Sequence, residues 1–222
     1  WMLKKNGFSK DDYLQGDFVQ TILWNYNQDV EYITPTMLEN SKLFNDSGIA
    51  SLFSDVSDDN KIAMIFRSSE HGSLGHMHPD NNSFFIQALG ENLAIDSDYY
   101  DAYLSPFDLN WNRKTYAHNS ITYDIGEGQP KDDVSAKGHI TSFATHANFD
   151  VVGGDATQAY KGGLGKYQRD IIYVRPDTYI VIDDLKSRAD KKSEFEWWIN
   201  ANGKINVYES GKGLQIAKNE AA

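Results

Sequence analysis

From residue 41 onward the apolar residues of this chain fall at every second position, in short runs broken by turn-forming pairs. Residues 61–68 put Ile62, Met64 and Phe66 on one side and Ala63, Ile65 and Arg67 on the other. That alternation suits a strand on a two-sided sheet. Similar runs predict strands over 83–89, 92–96, 119–123, 139–146, 169–175, 178–184, 195–200, 204–208 and 213–217. Asp58-Asp59-Asn60, Gly90-Glu91-Asn92, Pro176-Asp177, Asn202-Gly203 and Ser210-Gly211 punctuate them, with residue types that favour tight turns. No helical pattern separates the runs. The expected fold class is therefore all-β: an antiparallel β-sandwich of two large sheets.

Residues 1–40 read differently. Tyr13, Leu14, Phe18, Ile22, Leu23 and Tyr26 have loose helical spacing, and Thr34-Pro35-Thr36 would end a helix and begin a linker. A lone helix of this kind leaves its apolar face without a partner. We therefore expect a helical tail and linker over 1–40 and a sandwich domain over 41–222. The ends of the chain read as those of a piece of a longer protein, so an export signal would lie outside it.

The formal net charge of −11 argues against nucleic acid as a partner. There is no cysteine, hence no disulfide framework and no thiolate metal site. No run of residues is long and apolar enough to span a membrane. The 13 Tyr, 11 Phe and 5 Trp suit a β-rich core and leave some rings for stacking on sugars. Two long segments interrupt the strands: an aromatic one over 97–114, with Tyr99, Tyr100, Tyr103, Trp111 and Arg113, and a polar, Gly-rich one over 126–137. Connections of this length in a compact domain are commonly functional. We expect the aromatic one to pack and line a site.

Candidate chemistry gathers around Gly75-His76-Met77-His78-Pro79-Asp80. Two histidines at i and i+2 in an extended segment lie on one side, roughly 6–7 Å apart. His78, Asp96 and His118 together offer two nitrogens and a carboxylate oxygen, a set that suits zinc with an open fourth position. The competing reading makes Asp96 a turn cap and the histidines ordinary loop residues. The intervals between the three do not decide the matter. His76, beside a basic aromatic loop carrying Arg113, is a candidate for proton transfer or charge neutralisation, again against a plain loop role. His71, His139 and His146 read as structural. Gly162-Gly163-Leu164-Gly165-Lys166 lacks the spacing of a phosphate loop and reads as a hairpin turn. Asp183-Asp184 reads as a strand end.

Three blocks carry a resemblance. They are Gly75-His76-Met77-His78-Pro79-Asp80-Asn81-Asn82-Ser83-Phe84, then Gly90-Glu91-Asn92-Leu93-Ala94-Ile95-Asp96-Ser97, then Trp111-Asn112-Arg113-Lys114-Thr115-Tyr116-Ala117-His118-Asn119. In order and spacing they resemble the C-terminal β-sandwich domain of the heparinase II/III-like polysaccharide lyases. The resemblance implies an N-terminal (α/α) toroid in cis, with residues 1–40 as its last helix and linker. It implies cleavage of a uronic-acid polysaccharide, heparin/heparan sulfate or alginate, by β-elimination. It implies a metal, Zn²⁺ or another divalent cation, on His78, Asp96 and His118. His76 and Arg113 are then the expected catalytic residues, and Tyr99, Tyr100, Trp111 and Asn82 the expected substrate-binding ones. The catalytic Tyr would come from the toroid, so the isolated fragment should be inactive. A periplasmic or secreted bacterial enzyme is implied. Trp111, Phe107, Asp108 and Asn200 stand where many relatives carry Tyr or His, which bears on the acid/base assignment and the substrate. The alternatives are a non-catalytic carbohydrate-binding module and a uronate C5-epimerase.

Overall fold

The computed structural model of the chain describes residues 38–97, 102–208 and 213–217. The expected helical tail lies almost wholly outside the described residues, as do Tyr99 and Tyr100. From Glu39 onward the chain forms one compact unit.

Five strands make the first sheet: β1 (Ser41–Phe44), β2 (Ile49–Phe53), β3 (Ala63–Arg67), β4 (Ser83–Ala88) and β5 (Glu91–Ala94), paired in chain order. After them come a short pair-forming strand β6 (Ile121–Tyr123) and then β7 (His139–Thr145), β8 (Phe149–Asp155), β9 (Leu164–Val174) and β10 (Thr178–Ser187). Strands β7 to β10 form the second sheet, in the order β10-β9-β8-β7. The strand β11 (Phe195–Trp197) pairs with β6, and β12 (Lys204–Tyr208) forms a hairpin with β13 (Gly213–Ala217). Among the described residues every strand pairing is antiparallel. The expected all-β sandwich is what the chain forms.

The two sheets face each other across an apolar layer. Ala50, Leu52, Met64, Phe66, Phe84 and Ala94 come from the first sheet, and Val152, Ile171 and Tyr173 from the second; all are buried. Ile62, Met64 and Phe66 alternate as the sequence predicts, and the buried pair Met64 and Phe66 fills this layer. Each such side chain contributes about 1.5–3 kcal/mol by leaving water. A second cluster, Ile121, Ala156, Ala159, Tyr160, Leu164 and Tyr167, sits under β6 and the start of β9.

The structure departs from the pattern reading in three places. Strands β1, β2 and β8 were not anticipated. In β8 the pair Gly153-Gly154 weighs against a strand, because glycine has no side chain to pack. Here the missing side chain is the point. A Cβ at Gly154 would lie 2.5 Å from Asn82 Oδ1 and 2.8 Å from the Phe66 ring, so only glycine lets the two sheets close over Asn82. Strand β9 starts at Leu164, within the stretch read as a hairpin turn; the turn itself is Lys161-Gly162, where both residues have positive φ. Asp183 is not a strand end. It lies inside β10, opposite Arg169 of β9.

Candidate metal centre and its surroundings

Three separate segments meet at one end of the first sheet. The loop leading into β4 carries His78 and Asp80. Asp96 follows β5. His118 follows a 3₁₀ turn (Thr115–Ala117) that leads towards β6. The segments are stitched together by main-chain bonds: Ser97 N–H donates to Ala117 O (3.0 Å), and Ile95 N–H to Asn200 O (2.9 Å).

His118 is fully buried. Its Nδ1 lies 3.1 Å from Asp96 Oδ1, yet the alignment is not that of a hydrogen bond, and neither ring nitrogen has a hydrogen-bond partner. A buried imidazole left this way is costly. A cation bound between Nδ1 and the carboxylate would satisfy one of the two nitrogens. Asp80, Asp96 and His118 each offer a ligand atom, and these atoms lie within 4.8 Å of one another. The His78 ring stands 5.2 Å from the His118 ring, centroid to centroid. Burial, and then the neighbouring His118, pull the His78 imidazole down to a pKa of about 4 against the opposing field of Asp96. His78 is therefore neutral at neutral pH, the form that binds a metal. Two imidazoles and carboxylate oxygens make a donor set that fits Zn²⁺ or another divalent cation.

Asp96 and His118 are thus brought together with Asp80, and the His78 ring stands beside His118. The tightest trio contains Asp80 rather than His78. Sequence reasoning overlooked Asp80, although it stands two residues past His78 as His78 stands two past His76, a spacing that puts all three on one side of an extended chain. Asp80 is nearly buried and is ion-paired with Arg67 Nη1 at the end of β3. Burial weakens the hold of Arg67 on its proton, and Asp96 strengthens it.

A shell of buried polar side chains fixes the segments. Asn119 Nδ2 donates to Phe84 O (2.7 Å) and Ile95 O (3.0 Å), while its Oδ1 accepts from Asn200 N–H (2.7 Å). Arg169, fully buried, donates from Nη1 to Asn82 O (2.8 Å) and Asn119 O (2.7 Å). Its other nitrogens grip Asp183 through Nε–Oδ1 (2.7 Å) and Nη2–Oδ2 (2.9 Å). One guanidinium so ties the chain just past Asp80 to the chain just past His118. Gln129 exchanges hydrogen bonds with the Asn81 backbone. Lys131 Nζ donates to Ser73 O and Gly75 O, both at 2.9 Å, which anchors the loop ahead of His76.

The remaining expected site residues fall as follows. His76 is exposed on that loop. Arg113 donates from Nε to Asp108 Oδ2 (3.0 Å) and lies 5.0 Å from the centre of the Tyr103 ring. The bond to Asp108 raises its pKa, so it stays a cation, but one already paired. Trp111 is half-buried, donates from Nε1 to Ser97 Oγ (2.7 Å), and begins an aromatic chain through Tyr116 (5.1 Å) to Trp198 (5.7 Å). Asn82 requires a correction. It is fully buried and its Nδ2 donates to Gly154 O at 3.0 Å. It spans the two sheets instead of facing a substrate. A strand-flanking Asn with φ of +57° is a turn residue, and the residues around it gave no sign of the glycine gap that admits it.

The model of the heparinase II/III-like C-terminal domain matches residues 36–222, and the chain belongs to that family. Among solved structures it resembles heparinase III, with a TM-score of 0.64 at 21% identity, covering 80% of this chain and 27% of that one. It also resembles the heparan sulfate lyase HepC from Pedobacter heparinus, with a TM-score of 0.62 at 22% identity, covering 79% of this chain and 26% of that one. At these identities the likeness is one of fold, and the chain spans about a quarter of the length of either structure. No curated protein matches the sequence. Among the described residues no helix is long and apolar enough to cross a membrane.

Proposed function

We propose that this domain is the sandwich part of a polysaccharide lyase that cleaves a uronic-acid polysaccharide, heparin/heparan sulfate or alginate, by β-elimination. Membership of the family supports the reaction class. The observation that carries the reading is the placing of an exposed imidazole, His76, on the same short loop as the buried cluster of His78 and Asp80 beside Asp96 and His118. The loop is held on both sides, by Lys131 ahead of His76 and by the cluster after it, and His76 itself is exposed.

The chemistry asks for such an arrangement. The C5 proton of a uronate is α to a carboxylate and becomes acidic only when the carboxylate charge is offset. A base then takes the proton and an acid assists the departing 4-linked oxygen. We assign His76, exposed on its loop, to proton transfer or to binding the carboxylate. Arg113 contributes positive charge at the aromatic edge, tempered by Asp108. Trp111 is the stacking surface we assign to a sugar ring; Tyr99 and Tyr100, given the same role from the sequence, lie outside the described residues. A divalent cation on His78, Asp96 and His118, zinc by the donor set, would lock the three segments and so fix where His76 stands. The rest of the machinery belongs to a helical domain in cis, so this domain by itself is inactive. We assign the enzyme to the periplasm or the exterior of the cell, as the family resemblance implies.

The test is product analysis with the longer protein that contains this domain, on heparan sulfate, heparin and alginate. The expected product is a 4,5-unsaturated uronate at the new non-reducing end, detected by its ultraviolet absorbance, with a loss of about 10²-fold or more in His76→Ala. Inertness on every uronate polymer defeats the proposal. Deuterium entering C5 without chain cleavage would make the protein an epimerase. Sugar affinity unaffected by His76→Ala, with no turnover, would make the domain a binding module.

A further inference from the structure

The metal reading leaves Asp80 and Arg67 without a role. Asp80 offers an oxygen within 4.8 Å of ligand atoms on Asp96 and His118, so it is near enough to coordinate. Arg67 Nη1 holds the same carboxylate through Oδ1. The guanidinium comes from the last residue of β3, whose backbone is fixed by pairing with Ile49 on one side and Ser83 on the other. The Arg67 side chain is 18% exposed and that of Asp80 12%, so the pair is mostly shielded from solvent and from screening by salt. Asp96, in contrast, has a half-exposed side chain and no guanidinium bonded to it among the described residues.

We propose that Arg67 withholds Asp80 from the metal: the Arg67–Asp80 ion pair and coordination by Asp80 compete for one carboxylate, and this competition sets which cation the site accepts. The proposal rests on the metal reading given above. With Asp80 held, the donors are two imidazoles and Asp96, a nitrogen-rich set with one negative charge that favours zinc. With Asp80 released, the set gains a second carboxylate and a second negative charge. Oxygen-rich, more anionic sites suit harder cations such as Mn²⁺. Arg67 is a positioning residue here. It neither touches substrate nor ligates the ion.

The experiment is a competition titration with a chromophoric chelator, measuring Zn²⁺ and Mn²⁺ affinity of the metal-stripped protein, with no activity assay involved. Arg67→Gln is expected to bind Mn²⁺ at least about tenfold more tightly than the parent, a coupling of ordinary size for two adjacent sites, and to narrow the preference for zinc. Asp80→Asn leaves Arg67 without its partner beside Asp96 and is expected to weaken both ions about 10-fold or more. The double variant is expected to return to near-parental zinc affinity and selectivity, because neither competitor remains. Unchanged or weaker Mn²⁺ binding in Arg67→Gln overturns the proposal while leaving the metal site intact. Failure of the parent to bind either ion, or undiminished binding in His118→Ala, overturns the metal reading and this proposal with it. Folding is checked on the same samples by far-ultraviolet circular dichroism. If Arg67→Gln unfolds, Arg67→Lys, which keeps the charge but not the fork, is expected to show an intermediate gain for Mn²⁺, and no gain counts against the proposal.

Discussion

Two regions of this molecule are buried equally well and built in opposite ways. The layer between the sheets around Leu52, Met64, Phe66, Val152 and Ile171 is apolar throughout. The region behind the candidate metal ligands is polar: Asn81, Asn82, Asn119, Ser120, Thr122, Gln129 and Arg169 are all buried there. The first gains stability from every side chain it removes from water. In the second, each group must recover in hydrogen bonds what it loses in hydration, and the surplus is small. What the second region gains is position. Dispersion contacts tolerate a shift of a few tenths of an ångström, whereas Arg169, with two carbonyls and a carboxylate on one planar group, accepts few arrangements. The apolar layer holds the sheets together; the polar region decides where His118 and Asp80 stand.

The largest effect should come from splitting the two roles. Arg169→Leu leaves the half-buried Asp183 carboxylate without its cation, with Trp197 Nε1 (3.1 Å) still donating to it, and two carbonyls without their Arg169 donor. We expect a loss of about 3–5 kcal/mol in denaturant unfolding, and weaker metal binding with it. Leu52→Ala in the apolar layer should cost about 3 kcal/mol and leave metal affinity alone in the fraction that remains folded. Adding Asp183→Asn to Arg169→Leu should recover part of the stability, since the uncompensated charge is gone, but none of the metal affinity. If Leu52→Ala weakens metal binding as much as Arg169→Leu does, the division of labour between the regions is wrong.

The same division explains what the sequence reveals. Alternation exposes the apolar layer directly, since Met64 and Phe66 on β3 and Ile171 and Tyr173 on β9 each recur at period two. Strand β8 is hidden because its Gly153-Gly154 looks like a breaker and is in fact room for other side chains. Arg169 occupies an inward position in β9, between buried Tyr167 and buried Ile171. A charge at a core position of an otherwise regular strand is a readable signal that a buried partner exists, but the pattern does not say where. Asp183 sits fourteen residues on, and only the register of β9 against β10 brings it opposite. Asp80 illustrates the same limit. Its spacing from His78 was visible, but its nearness to Asp96 and His118 depends on three segments folding onto one another. Local periodicity is written residue by residue. Polar sites are assembled from contacts between distant segments, and one sequence shows the parts without the distances.

Metal sharpens the comparison next. Zinc at a hundredfold excess over its dissociation constant should raise the unfolding free energy by about 2.7 kcal/mol. His118→Ala should show no rise. In chelator, His118→Ala should be no less stable than the parent by more than the packing of one ring, because removing the ring also removes two buried, unpaired nitrogens. A zinc-induced gain that survives in His118→Ala would mean that the ion acts elsewhere.

Tyr160 lies on the border between the two kinds of interior, and it yields the smallest effect and the finest test. Its ring belongs to the apolar cluster with Ile121, Leu164 and Tyr167, while its hydroxyl donates to Ile121 O and receives a long contact from Gln129 Nε2 (3.5 Å). Burial pushes the phenol up to about 12 from an ordinary 10.0. Between those values the folded protein keeps a proton that the unfolded chain has released, so stability attributable to this group is full below pH 10 and falls as pH rises towards 12. Tyr160→Phe should cost about 1 kcal/mol at neutral pH, the net worth of one hydrogen bond. Across pH 10–12 the variant should lose stability less steeply than the parent, so the two curves converge. Tyr167, also fully buried and shifted in the same direction, keeps some slope in both. Parallel curves would place the Tyr160 hydroxyl in contact with water, and the polar region would then be open on that side. Convergence would show that it is sealed there by the apolar cluster.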